Sequence, residues 1–173
     1  MGPQPVFADL YETHYRRVFG LCRQLLGSAV QAEDAAAEVF VRAYKAFDRY
    51  DSNRPFAGWV LAIASRYCID VVRRRKSEAK LLGDEREERA AAETEDGDTL
   101  GAIETAERAR VVNAAIAALP ERYRLPLVLA YYRDATYDEI AAELGITRNH
   151  VGVLICRGKQ ALRRALAAAK EDT

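Results

Sequence analysis

The sequence predicts an all-α protein: two small helical domains joined by an acidic linker, the second domain a helix-turn-helix. Three observations carry this prediction. Alanine, leucine, glutamate and arginine dominate the 173 residues, and strand-like runs are few. Apolar residues recur at three- and four-residue steps in both halves. Charge is segregated along a chain of zero net charge. Residues 1–75 hold 11 basic and 8 acidic residues, 76–107 hold 4 and 11, and 108–173 hold 11 and 7. Two net-positive blocks therefore flank a negative middle, a pattern that the overall balance hides.

The first helix is read from Phe7, Leu10, Tyr11, His14, Tyr15, Val18, Leu21, Cys22 and Leu25, which follow the helical period until Gly27-Ser28 breaks it. Ser28-x-x-Gln31 has the form of a capping box and opens a second helix through Glu33, Asp34, Glu38, Phe40 and Tyr44 to about Phe47. Asp48 to Arg54 is a polar loop. Pro55 suits the first turn of a third helix, whose stripe is Phe56, Val60, Ile63, Tyr67 and Val71 and which ends in Arg73-Arg-Arg-Lys76. Residues 77–103 carry few bulky apolar groups and cannot bury enough surface to order themselves, so they read as a linker with a short frayed helix at its start. The domains expected are therefore residues 5–76, the linker 77–103, and 104–170.

The C-terminal block resumes with Ile103, Val111, Val112, Ala115, Ile116 and Leu119. Pro120 marks a boundary, and the next helix runs from about Glu121 to Tyr132, with Pro126 expected to bend or delay it. Tyr137 to Leu154 then fits a helix-turn-helix. Counting from Tyr137, apolar Ile140, Leu144, Ile146, Val151 and Leu154 fall at positions four, eight, ten, fifteen and eighteen. Small Ala141 stands where the helices cross, and Gly145 where the turn needs positive φ. Thr136-x-x-Glu139 is a capping box for the first helix and Thr147 an N-cap for the second. The second helix, running to about Ala168, would present Arg148, Asn149 and His150 to a DNA major groove. An ordinary helical hairpin is the plainer alternative.

Composition excludes several classes. No apolar run approaches the roughly 18 residues of a membrane span, so no membrane contact is expected. The N-terminus lacks a secretion-signal pattern, and a cytoplasmic location is expected. Cys22, Cys68 and Cys156 are odd in number and widely spaced, and His14 and His150 are far apart. Neither a disulfide framework nor a metal site follows, and no cofactor is expected. No glycine-rich phosphate loop or nucleophile-base pair is evident, so an enzyme is not expected.

Three stretches, taken in this order, resemble a known family over nearly the whole chain. They are Ala32-Glu-Asp-Ala-Ala-Ala-Glu-Val-Phe-Val-Arg-Ala-Tyr44; Arg54-Pro-Phe-Ala-Gly-Trp-Val-Leu-Ala-Ile-Ala64, continuing to Asp70-Val-Val-Arg-Arg-Arg75; and Leu119-Pro-Glu-Arg-Tyr-Arg124 followed by Tyr137-Asp-Glu-Ile-Ala-Ala-Glu-Leu-Gly145. The chain resembles a bacterial RNA polymerase sigma factor of the extracytoplasmic-function class. The resemblance implies binding to core RNA polymerase (the β and β′ subunits) and to promoter DNA, with the first domain holding the −10 element and the second reading the −35 element. It places Asp34, Glu38 and Arg42 on the face that meets the polymerase. It places Tyr50, Asp51, Ser52, Asn53 and Arg54 in the loop that captures an extruded −10 base, and Arg73, Arg74, Arg75 and Lys76 against DNA phosphates. It places Arg148, Asn149, His150 and Val153 at −35 bases and Arg157 and Lys159 at the DNA backbone. Two places depart from the family pattern: Ala37 replaces the usual glutamine, and Gly152 and Leu154 stand where basic residues are frequent. Leu154 fits the helix-turn-helix core. Gly152 costs about 1 kcal/mol of helix propensity and is expected to let the backbone approach DNA.

Elementary physics bears on each role. Extruding a base costs a few kcal/mol, and a polar loop beside Tyr50 offers groups to receive it; a plain interhelical connection is the alternative. Trp59 shares a stripe with Phe56 and Ile63, so it reads as core, or else as an indole edge facing the melted strand. Four successive cations cannot all face one phosphate path, but two can. The acidic linker is either a solvated tether or, as the resemblance implies, a mimic of nucleic acid in a basic polymerase channel. An anti-sigma factor is expected as inhibitory partner, covering Asp34 to Arg42 and the first helices of the C-terminal block. The competing function is a helix-turn-helix regulator with a ligand-sensing or dimerising N-terminal domain.

Overall fold

A computed structural model describes residues 6–83 and 103–171. Seven α-helices account for most of them, with no strand among the described residues. They divide into two compact units, one holding the first three helices and the other the last four. The body of the expected acidic linker lies outside the described residues.

In the first unit, α1 (Phe7–Leu26), α2 (Ala29–Lys45) and α3 (Phe56–Leu81) pack against one another. Gly27 closes α1 at φ 75°, a left-handed conformation that glycine adopts without strain. The Ser28 hydroxyl accepts the Gln31 N–H at 3.4 Å and caps α2, while the return bond expected from the Gln31 side chain does not form. The core is built from Val18, Leu21, Cys22 and Leu25 of α1, Ala32, Ala35, Ala36, Val39 and Ala43 of α2, and Val60, Leu61, Ala64, Cys68, Ile69 and Val72 of α3. The alanines of α2 let its backbone approach its neighbours closely.

Three expectations need correction here. The buried stripe of α3 is Phe56, Val60, Leu61, Ala64, Cys68, Ile69 and Val72; Ile63, Tyr67 and Val71 lie only half-buried on its flank. A reading of bulky residues misplaces the centre of the stripe when small ones occupy the contact. The loop read from Asp48 begins as a 3-10 turn over Phe47–Arg49, and Pro55 is the N-cap of α3 rather than its first helical residue. Finally, α3 runs to Leu81, so the basic block Arg73–Lys76 lies inside the helix rather than at its end.

In the second unit, α4 (Ile103–Ala117) and α5 (Glu121–Tyr131) precede the helix-turn-helix of α6 (Tyr137–Leu144) and α7 (Arg148–Glu171). Ala115 and Leu119 are buried, whereas Val111 and Val112 are exposed. Pro120 caps α5, which runs unbroken through buried Pro126. The core joins Leu125, Leu127, Val128 and Leu129 of α5 to Ile140 of α6 and Val151, Leu154 and Ile155 of α7. Arg124 lies among them, 2% exposed. Its guanidinium donates to the carbonyls of Ala117 and Leu119 at 3.3 and 3.2 Å and stands 3.9 Å from Glu121. It thus satisfies carbonyls at the end of α4 that the helix leaves unbonded. A nearly buried ion pair, Arg133–Glu143, ties the turn after α5 to α6. Gly158 lets α7 approach α5, since a Cβ there would lie 3.4 Å from the Tyr123 Cβ and carbonyl oxygen.

Candidate nucleic-acid interface

In the first unit the candidate interface is organised around Tyr50. Its ring stacks on Phe47 (5.8 Å between centroids) and meets Phe56 and Trp59 at 5.4 and 5.0 Å, while its hydroxyl donates to the Arg54 carbonyl. Phe7 extends this cluster, contacting Tyr44, Phe47 and Phe56. The loop therefore rests on an aromatic floor, with Trp59 half-buried in it rather than in the helical core. Above the floor, Asp51 Oδ1 accepts from the Asn53 backbone N–H and from its side-chain amide, both at 3.0 Å, and Arg54 Nε stands 3.8 Å from Asp51. This is an Asx-type turn. Asp51, Ser52, Asn53 and Arg54 are all exposed, so polar groups face solvent from a backbone held below.

Of the four successive cations, Arg73, Arg74 and Lys76 are exposed and Arg75 is half-buried. Arg73 and Lys76, three residues apart, share a face, and Arg73 also lies 4.0 Å from Asp70. The stripe Asp34, Glu38 and Arg42 is accessible on α2, alongside exposed Ala37. Arg42 is held twice: its Nε bonds Glu38 Oε1 at 2.8 Å, and its guanidinium lies 4.7 Å above the Tyr67 ring of α3. Tyr67 looked like a core residue in the sequence; its ring face instead carries this cation.

The helix-turn-helix follows the local signals closely. Thr136 and Glu139 form both halves of the capping box, at 3.2 and 2.8 Å. Gly145 turns the chain at φ 66°, and the Thr147 hydroxyl accepts the His150 N–H at 3.1 Å. Arg148, Asn149, His150, Val153 and Arg157 are all exposed on α7, whereas Val151 and Leu154 face inward. Lys159 is set apart from them: it lies 4.9 Å from the Tyr131 ring centre, and a hydrogen bond with Tyr131 holds its ammonium charged to higher pH than usual.

A shallow groove of about 590 Å³ lies on this face, lined by Tyr137, Arg148, Asn149, Gly152, Val153 and Cys156. Sequence reasoning singled out neither Tyr137 nor Cys156 as a site residue. Asn149, Val153 and Cys156 fall at steps of four and three, a helical stripe that was there to be read. Tyr137 carried no such signal, because it reaches the groove from the other helix. Gly152 was expected to admit the DNA backbone; what approaches it is the Tyr137 ring, with Cε2 3.6 Å from where a Cβ would stand. Arg148 is also tied to α6, with its Nη1 3.7 Å from Asp138.

Other chemistry is sparse. Among the described residues no group of three or more His, Cys, Asp or Glu side chains is placed to hold a metal ion, and no helix is long and apolar enough to cross a membrane. Cys22 and Cys68 are both buried in the first unit, where a hydrogen bond between the thiols, and then burial, push Cys68 far above its usual range.

Two family models match the chain, Sigma-70 region 2 over residues 10–78 and Sigma-70, region 4 over residues 109–162. The ECF RNA polymerase sigma factor SigW of Bacillus subtilis (strain 168) is 34% identical over 170 residues, covering 95% of this chain and 91% of SigW. SigE of Mycolicibacterium smegmatis, also an ECF RNA polymerase sigma factor, is 30% identical over 98% of this chain and 65% of its own length. In fold, the chain is similar to the sigma factor RpoE solved in complex with the anti-sigma factor NepR from Bartonella quintana (TM-score 0.67, 16% identity, 93% of this chain and 96% of that one). It is also similar to a chain in the structure of CnrH in complex with the cytosolic domain of CnrY (TM-score 0.56, 23% identity, 96% and 91%). With both sigma regions present in order and a full-length relative at this identity, the chain belongs to the ECF RNA polymerase sigma factors, transcription initiation factors that direct polymerase to promoters.

Proposed function

We propose that the first unit captures an extruded base of the −10 strand on the loop Tyr50–Arg54, and that the second unit reads the −35 duplex with the start of α7. The single observation that carries this reading is the Asp51–Asn53 turn, a set of exposed polar groups held on the Tyr50–Trp59 aromatic floor. Extrusion costs a few kcal/mol, and a receiving site ordered in advance lowers that cost because little ordering remains to be done on binding. Arg73, Arg74 and Lys76 meet the strand's phosphates, with half-buried Arg75 supporting them. Asp34, Glu38 and Arg42 meet core polymerase.

On α7, Arg148, Asn149, His150 and Val153 read bases and Arg157 meets the backbone. Lys159, held at Tyr131, meets it only after release. The two functional domains are α1–α3 and α4–α7, and the intervening acidic segment occupies a basic channel of polymerase. The chain acts in the cytoplasm by binding rather than catalysis. An anti-sigma factor covers α2 and the start of the second unit, a reading supported by the sigma–anti-sigma complex among the similar folds.

The test is reconstitution. The purified chain is mixed with bacterial core polymerase and genomic fragments, and transcript 5′ ends are mapped. Initiation at a defined set of sites supports the reading. Duplex binding by the chain alone as a symmetric dimer, without initiation, supports a helix-turn-helix regulator instead.

A further inference from the structure

The groove between Tyr137 and α7 has walls that a phosphate contact does not need. Tyr137 is 39% exposed and Val153 is 44% exposed, large apolar surfaces left open on a face otherwise rich in polar groups. The Tyr137 ring reaches from α6 to the side of residue 152, where a Cβ would meet it in ordinary contact at 3.6 Å and a larger side chain would enter the groove. Cys156, one turn beyond Gly152 on α7, lines the far end. Arg148 and Asn149, a cation and an amide, stand at the other end, with Asp138 3.7 Å from Arg148. The slot is thus apolar in its middle and polar at one rim. In the major groove only thymine offers an apolar group, its 5-methyl, beside hydrogen-bonding base edges. The exposed cations Arg148 and Arg157, which flank the Asn149–Val153–Cys156 stripe on either side, suit polyanionic duplex DNA as the occupant.

We propose that the groove formed by Tyr137, Gly152, Val153 and Cys156 is a specificity subsite that receives one thymine 5-methyl group of the −35 duplex. This rests on the reading of α7 as the −35 recognition helix. Tyr137 and Gly152 act as a pair: the missing side chain at 152 leaves space, and the ring supplies one wall. The subsite discriminates thymine from cytosine and from uracil by burying a methyl group. Arg148 and Asn149 hydrogen-bond the neighbouring base edges.

The experiment uses holoenzyme reconstituted from the full chain and core polymerase. A promoter duplex is first selected from a pool randomised across the upstream element. It is then resynthesised with each thymine of that element replaced, one at a time, by deoxyuridine, which removes only the methyl. One replacement is expected to weaken binding about four-fold, the size of burying one methyl group. That effect is expected to vanish in Tyr137→Ala and in Gly152→Leu, which removes the space, and to persist in Tyr137→Phe, which keeps the ring. Thermal melting checks that each variant folds, and the two disruptive variants act in different ways, one removing the ring and the other adding bulk at residue 152. If a sequence is selected but no single methyl matters, or if the methyl effect survives in both disruptive variants, the subsite is overturned while −35 reading stands. If no upstream sequence is selected at all, the reading on which the subsite rests fails, and the subsite with it.

Discussion

Asp51 and Asn53 form a closed polar turn in which one carboxylate oxygen accepts two hydrogen bonds, from the Asn53 backbone N–H and from its side-chain amide, each 3.0 Å long. The amide of Asn53 is thereby held in one orientation, with its carbonyl oxygen left to accept from a ligand. Both residues are exposed and lie outside the helical core. Their interaction shapes the loop without being needed to fold the unit.

Asp51→Ala and Asn53→Ala should therefore each leave thermal stability within about 0.5 kcal/mol, as exposed substitutions usually do. Both should reduce promoter opening, Asn53→Ala with an altered −10 preference and Asp51→Ala with a general loss. Permanganate footprinting on a set of −10 variants measures both. Equal opening on every variant would refute the loop's role.

Arg124 should behave in the opposite way. Its guanidinium donates to two carbonyls from a site that is 2% exposed. Arg124→Ala leaves those acceptors unpaired and opens a cavity, so it should destabilise the second unit by about 3 kcal/mol. Arg124→Lys should recover only part of this, because an ammonium lacks the planar fork. Denaturant unfolding of the wild type and both variants decides the matter.

On α7 the substitutions should separate by role. Arg148→Ala and His150→Ala should each cost about 1–3 kcal/mol on the preferred −35 sequence and relax the preference at one position. Arg157→Ala should weaken all sequences alike and lower the salt-dependence slope by about one. Binding titrations at several salt concentrations distinguish the two patterns.

His14 sets a pH dependence. Burial, and then the charge of Arg17, lower its pKa below the usual 6.5, and its ring lies 5.2 Å from that of Phe56. Below pH 6.5 the unfolded chain takes up a proton that the folded state resists. The first unit should therefore lose stability as pH falls from about 6.5 toward the lowered folded value, and lose no more from this group below it. His14→Phe should flatten that part of the melting-temperature profile. An unchanged slope would mean that other groups set it.

Core polymerase should feel the α2 face while the fold does not. Glu38→Ala removes an exposed partner of Arg42, a pair contributing about 0.3–0.5 kcal/mol. Melting should barely move, and competition against a labelled sigma factor for core polymerase should show weakened binding.

The sequence by itself determined what depends on neighbours three or four residues apart. Thr136 and Glu139 announce the start of α6, Gly145 its end, and Thr147 the start of α7, because a cap is complete within one turn of chain. It also marked the polar loop and the exposed face at the start of α7. Only the tertiary structure decided which flank of α3 is buried, that the Tyr50 ring is held on an aromatic floor, that Arg42 lies on Tyr67, and that Arg124 is buried against the end of α4. The Tyr137–Gly152 contact belongs with these: the two residues are on different helices, and nothing local to either predicts the other. Periodicity gives the direction of a helical face only as well as its bulky residues mark it. Where alanines and glycines carry the contact, the approach of a second helix settles which side chains meet.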